Sequence, residues 1–220
     1  MSKVVDNLSP LPSPRAGALH GRVSSILKKY AVAVSGLAMV GFLVVHLIGN
    51  LTLFLGVDVF DRYAAALGGN PMLIPAELVL LGIFLVHVAL AVVLTLGNCK
   101  ATPEKATVSA TRGKATLASR TMIWSGSLML LFVAFHLVHM KFAHMLKLFG
   151  MPADMPLSAW VKQTLASPPI AAIYIVAMVA VGLHVSHAIW SSFQTLGLDN
   201  RRIHDRLFAI SRIIAWVLAI

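Results

Sequence analysis

Four histidines stand in the middle of long apolar runs. They are His46 in GFLVVHLIG, His87 in GIFLVHVAL, His136 in LLFVAFHLVH and His184 in VAVGLHVSH. A neutral imidazole can ligate a metal ion, pass a proton or hold a hydrogen bond. In an apolar surround an imidazole without a partner is unfavourable, so each ring needs a group that claims it. One acid, Glu77, also lies inside an apolar run.

The elements that carry these rings read as membrane segments. The chain has 220 residues, 58% of them hydrophobic and only 12% charged. Its mean hydropathy is +0.84. A soluble domain of this size would carry about twice that share of charge. The formal net charge of +10 sits mostly in short segments beside apolar blocks, where Lys and Arg set topology rather than bind nucleic acid. Cys99 is the single cysteine, which excludes an intrachain disulfide and a thiolate cluster within this chain. The first apolar block is too long for the core of a signal peptide and reads as a retained span.

In chain order, residues 1–29 form a polar segment with Pro10, Pro12 and Pro14, followed by Arg15, Arg22, Lys28 and Lys29. Residues 30–220 form the transmembrane part. Spans are expected at about 30–55, 72–97, 121–146 and 169–193. A last apolar segment, 207–220, has 14 residues and reads as a fifth span cut short at its C-terminal end. The connectors 56–71 and 147–168 read as loops, and 98–120 and 194–206 as basic loops. The expected architecture is an all-α integral membrane protein: an up-down four-helix bundle plus a fifth helix.

Lys and Arg counts orient it. Thirteen lie in the N-terminal segment and the loops 98–120 and 194–206, against four (Arg62, Lys141, Lys147 and Lys162) on the other side. The N-terminus is therefore expected in the cytoplasm. At about 1.5 Å of rise per residue, His46 and His136 fall about 22–24 Å from the cytoplasmic side, in the outer half. His87 and His184 fall about 22 Å from the outer side, in the inner half. The four rings thus form two levels, His46 with His136 and His87 with His184. Each pair comes from alternate helices, which face one another diagonally in such a bundle.

Two facing neutral imidazoles at one depth are what a bis-histidine haem b requires, with the macrocycle in the apolar core. Small residues could let a ring approach the backbones: Ser35, Gly36, Gly41 and Gly49, then Gly82, Gly126 and Gly182. The plain alternatives are close helix packing for the glycines and interhelical hydrogen bonds for the histidines. A transporter's proton relay would also use membrane histidines, but it would want acidic or basic partners that the spans almost entirely lack. His139 and His187 follow His136 and His184 by three residues and share roughly a face with them. They lie nearer the membrane surfaces, suited to haem propionates, backbone or water. The carboxylates of a di-iron bundle are missing.

These stretches resemble the five-helix, two-haem cytochrome b membrane subunit of the succinate dehydrogenase and fumarate reductase family. The resemblance covers roughly residues 20–220. It is carried by SGLAMVGFLVVHLIGN, AELVLLGIFLVHVAL, LLFVAFHLVHMKF and, most specifically, SPPIAAIYIVAMVAVGLHVSHAIWSSFQTLG. The resemblance implies that His46 and His136 ligate an outer haem and His87 and His184 an inner one, rather than His139 or His187. It implies a bacterial cytoplasmic-membrane anchor for a flavoprotein subunit and an iron–sulfur subunit, with the basic loops facing the latter. Dicarboxylate chemistry would lie on the flavin, electrons would cross the two haems to a quinone, menaquinone being expected, and the whole complex could pair as a dimer.

Some fumarate reductases of this kind carry a glutamate two residues before the fourth ligand. Here that position is Gly182, which puts such a proton route, and the direction of catalysis, in question. Glu77 is read either as a carboxylate at a helix start, favoured by the macrodipole, or as a proton-exchanging group beside an outer quinone site. Arg22, Ser25 and Lys28 are an inner alternative. A di-haem cytochrome of a hydrogenase or formate dehydrogenase, and a non-haem transporter, are the competing classes.

Overall fold

The structure, a computed structural model, describes residues 16–101, 121–146, 152, 154–200 and 202–219, without the side chains of residues 16–24, 98–101 and 144. Arg15, the Arg22 side chain, most of the 98–120 loop, Lys147 and Arg201 lie outside the described residues. The expectations placed on them are left there.

Among the described residues the secondary structure is entirely helical. Helix α1 spans Ala16–Leu55, α2 Val57–Gly68 and α3 Leu73–Ala101. Helix α4 begins at Met122–His136, runs through a π-helical turn at Leu137–Phe142 and ends at Ala143–Leu146. Helix α5 spans Leu157–Leu165, α6 Pro168–Thr195 and α7 His204–Leu218. Four of these are long and apolar enough to cross a membrane: Ser25–Leu55, Leu73–Gly97, Met122–Phe142 and Pro168–Thr195. The chain is thus a membrane protein by its helices, and the expected spans agree with them to within a few residues.

Helix α1 packs against α3 on one side and α6 on the other, and α6 packs against α4. The order around the bundle is therefore α3, α1, α6, α4. Helices α1 and α4 are diagonal, as are α3 and α6. An ion pair between Glu77 on α3 and Lys141 on α4 closes the ring. Helix α6 is the most buried span, through Ala177, Ala180, Val181, Val185 and Ile189. Its Pro-Pro start suits the first helical turn, where the missing amide protons have no helical acceptor. Helix α7 lies along α6 with Ser211 and Ala215 fully enclosed. Its 15 residues span about 22 Å.

The two connectors expected to be loops hold the short amphipathic helices α2 and α5. Gly56 has φ 137°, a conformation that favours glycine, and it turns the chain sharply from α1 into α2. Helix α2 then folds back so closely that a Cβ on Gly49 would meet the Tyr63 hydroxyl at 2.8 Å. Asp61 of α2 accepts hydrogen bonds from the backbone N–H and the hydroxyl of Ser158, at 3.0 and 2.6 Å. That carboxylate caps α5, whose own N-cap residue, Pro156, has no side chain able to do so. These helices were hidden in the sequence because each is only half apolar and too short to give a span signal.

Candidate functional site

The site begins with two matching sequences. Span α1 carries S-G-L-A-M-V-G-F-L-V-V-H from Ser35 to His46, and α4 carries S-G-S-L-M-L-L-F-V-A-F-H from Ser125 to His136. The shared pattern is S-G-x-x-M-x-x-F-x-x-x-H. Its Ser, Met, Phe and His positions fall on one helical stripe, because steps of four, three and four residues keep to one face. The serine and histidine of each copy are separated by about 16 Å along the helix axis. Each of the two diagonal helices therefore offers a histidine at one level and a serine at the other.

The structure repeats the contacts as well as the letters. Ser35 Oγ lies 3.1 Å from Nδ1 of His87 on α3, and Ser125 Oγ lies 3.3 Å from Nδ1 of His184 on α6. A Cβ on Gly36 would come within 3.2 Å of His87 Cε1, and a Cβ on Gly126 within 3.2 Å of His184 Cε1. Phe42 stacks on His46 with centroids 5.4 Å apart, and Phe132 tilts against His136 at 5.6 Å. The bundle is thus built from two similar helix pairs, α1 with α3 and α4 with α6.

The level nearer α2 and α5 holds His46 and His136. Their ring centroids are 5.9 Å apart and their planes are perpendicular. Two imidazoles bonded at about 2 Å to opposite sides of one metal ion have ring centres about 6 Å apart, so this separation fits a shared iron. The other level holds His87 and His184, each resting on its serine and glycine. All four imidazoles are half-buried. Among the described residues no group of three or more His, Cys, Asp or Glu gathers at a point, so the rings are presented in pairs.

His139 follows a different course. The π-helical turn inserts an extra residue into α4 and rotates His139 into the protein, where it is 6% exposed. Its ring stacks on Phe135, and its carbonyl accepts a hydrogen bond from Trp160 Nε1 at 3.0 Å. The Tyr174 hydroxyl stands 3.3 Å from His136 Nδ1 and 3.2 Å from His139 Nδ1. A phenol has a single proton, so it can donate to one of these rings while accepting from the other. If His136 is the ring that donates, its Nε2 carries a bare lone pair, and His139 takes the opposite tautomer.

The remaining expected residues are placed as follows. Glu77 pairs with Lys141, with both side chains about one-third exposed. The same π-turn that buries His139 sets Lys141 on that side. His187 lies against Trp190, with its Nδ1 buried and unpartnered by protein. Gly182 is closed off: a Cβ there would stand 2.7 Å from the Trp216 ring of α7, so no side chain fits. Gly41 and Gly82 have nothing within 4 Å of a built Cβ. Of the small residues noted in the sequence, Ser35, Gly36 and Gly126 therefore face imidazoles. Ser125 and Tyr174 were not anticipated. The internal repeat would have revealed Ser125, whereas Tyr174 depends on the π-turn, which leaves no clear trace in the pattern.

No family model, curated protein or solved structure matches the chain.

Proposed function

We propose that this protein is the di-haem cytochrome b anchor of a succinate:quinone oxidoreductase, either a succinate dehydrogenase or a quinol:fumarate reductase. The observation that carries this reading is the set of two diagonal histidine pairs. One pair lies ring to ring at 5.9 Å, and the other is seated on a duplicated serine–glycine cradle.

His46 and His136 hold one haem b, and His87 and His184 hold the other. Bound haem b supplies one-electron transfer at a potential set by its ligands and their surroundings. The glycines keep the backbone close under the second pair, and Phe42 and Phe132 lie against the rings of the first pair. The apolar spans exclude water from both levels. Glu77 and Lys141 form a charged pair beside the first level, suited to exchanging protons with a quinone headgroup. In this reading the N-terminus faces the cytoplasm of a bacterium, and the basic connectors meet an iron–sulfur subunit. That subunit, with its flavoprotein, would carry out the dicarboxylate chemistry.

The test is reduction of the haem absorbance in membranes by succinate. Reduction by succinate, together with co-purification of a flavin-bearing subunit, supports the reading. Haem that responds to hydrogen or formate but not to succinate would move the protein to another quinone-linked complex.

A further inference from the structure

The two serine contacts make a stronger statement than hydrogen bonding alone. A hydroxyl has one proton. Ser35 Oγ lies 2.6 Å from the carbonyl of Ala31 and 3.1 Å from that of Val32, and Ser125 Oγ lies 3.2 Å from that of Met122, so each hydroxyl has a backbone acceptor for its proton within its own helix. With the proton so used, each Oγ can meet an imidazole only as an acceptor. In that arrangement His87 and His184 carry their protons on Nδ1, which leaves a bare lone pair on Nε2 of both rings. Each ring also hydrogen-bonds a backbone carbonyl beside its serine, that of Val32 for His87 and that of Met122 for His184. A metal-bound imidazole that donates its distal N–H to an oxygen is fixed in orientation and made a more basic ligand.

We infer that Ser35 and Ser125 are positioning residues. They preset the tautomer and orientation of His87 and His184 and tune the group those two rings hold together, while leaving the His46–His136 level untouched. This rests on the haem reading above. It adds to that reading that one level is tuned by serine hydroxyls, each from the other helix of its own pair: α1 for His87 and α4 for His184. Among the described residues the other level shows no serine contact: His136 meets the Tyr174 hydroxyl, and His46 meets Phe42.

The physics fixes a direction. A more basic imidazole stabilises ferric over ferrous iron, so removing the acceptor should raise the reduction potential. Ser35→Ala and Ser125→Ala should each raise the midpoint potential of the same one of the two haems and leave the other unchanged. That haem should also be lost about 10–100-fold more readily to a competing haem acceptor. Ser35→Thr and Ser125→Thr, which keep the hydroxyl, should return the potential toward the original value. His87→Ala identifies which haem is concerned. A wild-type chain without haem would sink the functional reading itself. Haem present, with both potentials unmoved by either Ser→Ala change, would overturn this inference alone. So would shifts that fall on different haems in the two variants.

Discussion

His46 on α1 and His136 on α4 face each other across the bundle diagonal, with ring centroids 5.9 Å apart and planes at 90°. They are joined by no turn or connector, and both helices pack against α6. This proximity therefore comes from the bundle itself, and it selects between adjacent histidines. His136→Ala should abolish the haem at this level, while His139→Ala should leave it bound and disturb only its surroundings. Haem content and the difference spectrum of each variant report the outcome. Loss of haem from the His139 variant alone would reverse the choice of ligand.

A second expectation concerns the glycines under the other pair. A methyl on Gly36 or Gly126 would stand 3.2 Å from Cε1 of the imidazole, so the ring must move by a few tenths of an ångström. Metal–ligand geometry is far less forgiving than apolar packing. Gly36→Ala and Gly126→Ala should each reduce occupancy of the His87–His184 haem while the other haem stays at full occupancy. Equal loss at both levels would mean that the bundle itself had been disturbed.

Much of this was legible in the sequence for a simple reason. Four apolar blocks with one central histidine each gave spans that agree with the helices, and depth along them paired His46 with His136, whose rings lie together. What escaped was set by contacts between elements. Helices α2 and α5 are stabilised by Asp61 capping Ser158 and by Tyr63 lying on Gly49, and neither relationship is visible in a local window. The π-turn, which buries His139 against Trp160 and Tyr174, likewise leaves no mark in a local window. The serine–histidine contacts occupy a middle ground. Ser35 and the histidines were singled out in the sequence but Ser125 was not, and the S-G-x-x-M-x-x-F-x-x-x-H repeat is what pairs Ser125 with Ser35.

The departure at Gly182 also has a structural consequence. Trp216 of α7 fills the space that a side chain at this position would need. Gly182→Leu should destabilise the α6–α7 contact by about 1–3 kcal/mol, the usual range for overpacking. It should lower the thermal midpoint in detergent, and Trp216→Ala in the same chain should recover much of the loss. If the double variant were no more stable than the single one, the clash would not be the cause.

The Glu77–Lys141 pair separates a structural role from a chemical one. Both side chains are about one-third exposed, so the pair contributes little to stability. If Glu77 exchanges protons with a quinone, Glu77→Gln should lower kcat for quinone turnover by about 100-fold, the lower end for loss of a general acid or base. Both haems should remain in place. Unchanged turnover would confine Glu77 to joining α3 and α4.

The most direct measurement is the haem content of the purified chain, by pyridine haemochrome together with a reduced-minus-oxidised spectrum. Two diagonal histidine pairs predict two b-type haems per chain, falling to one in His46→Ala or His87→Ala. A chain with no haem absorbance would contradict the account at its centre.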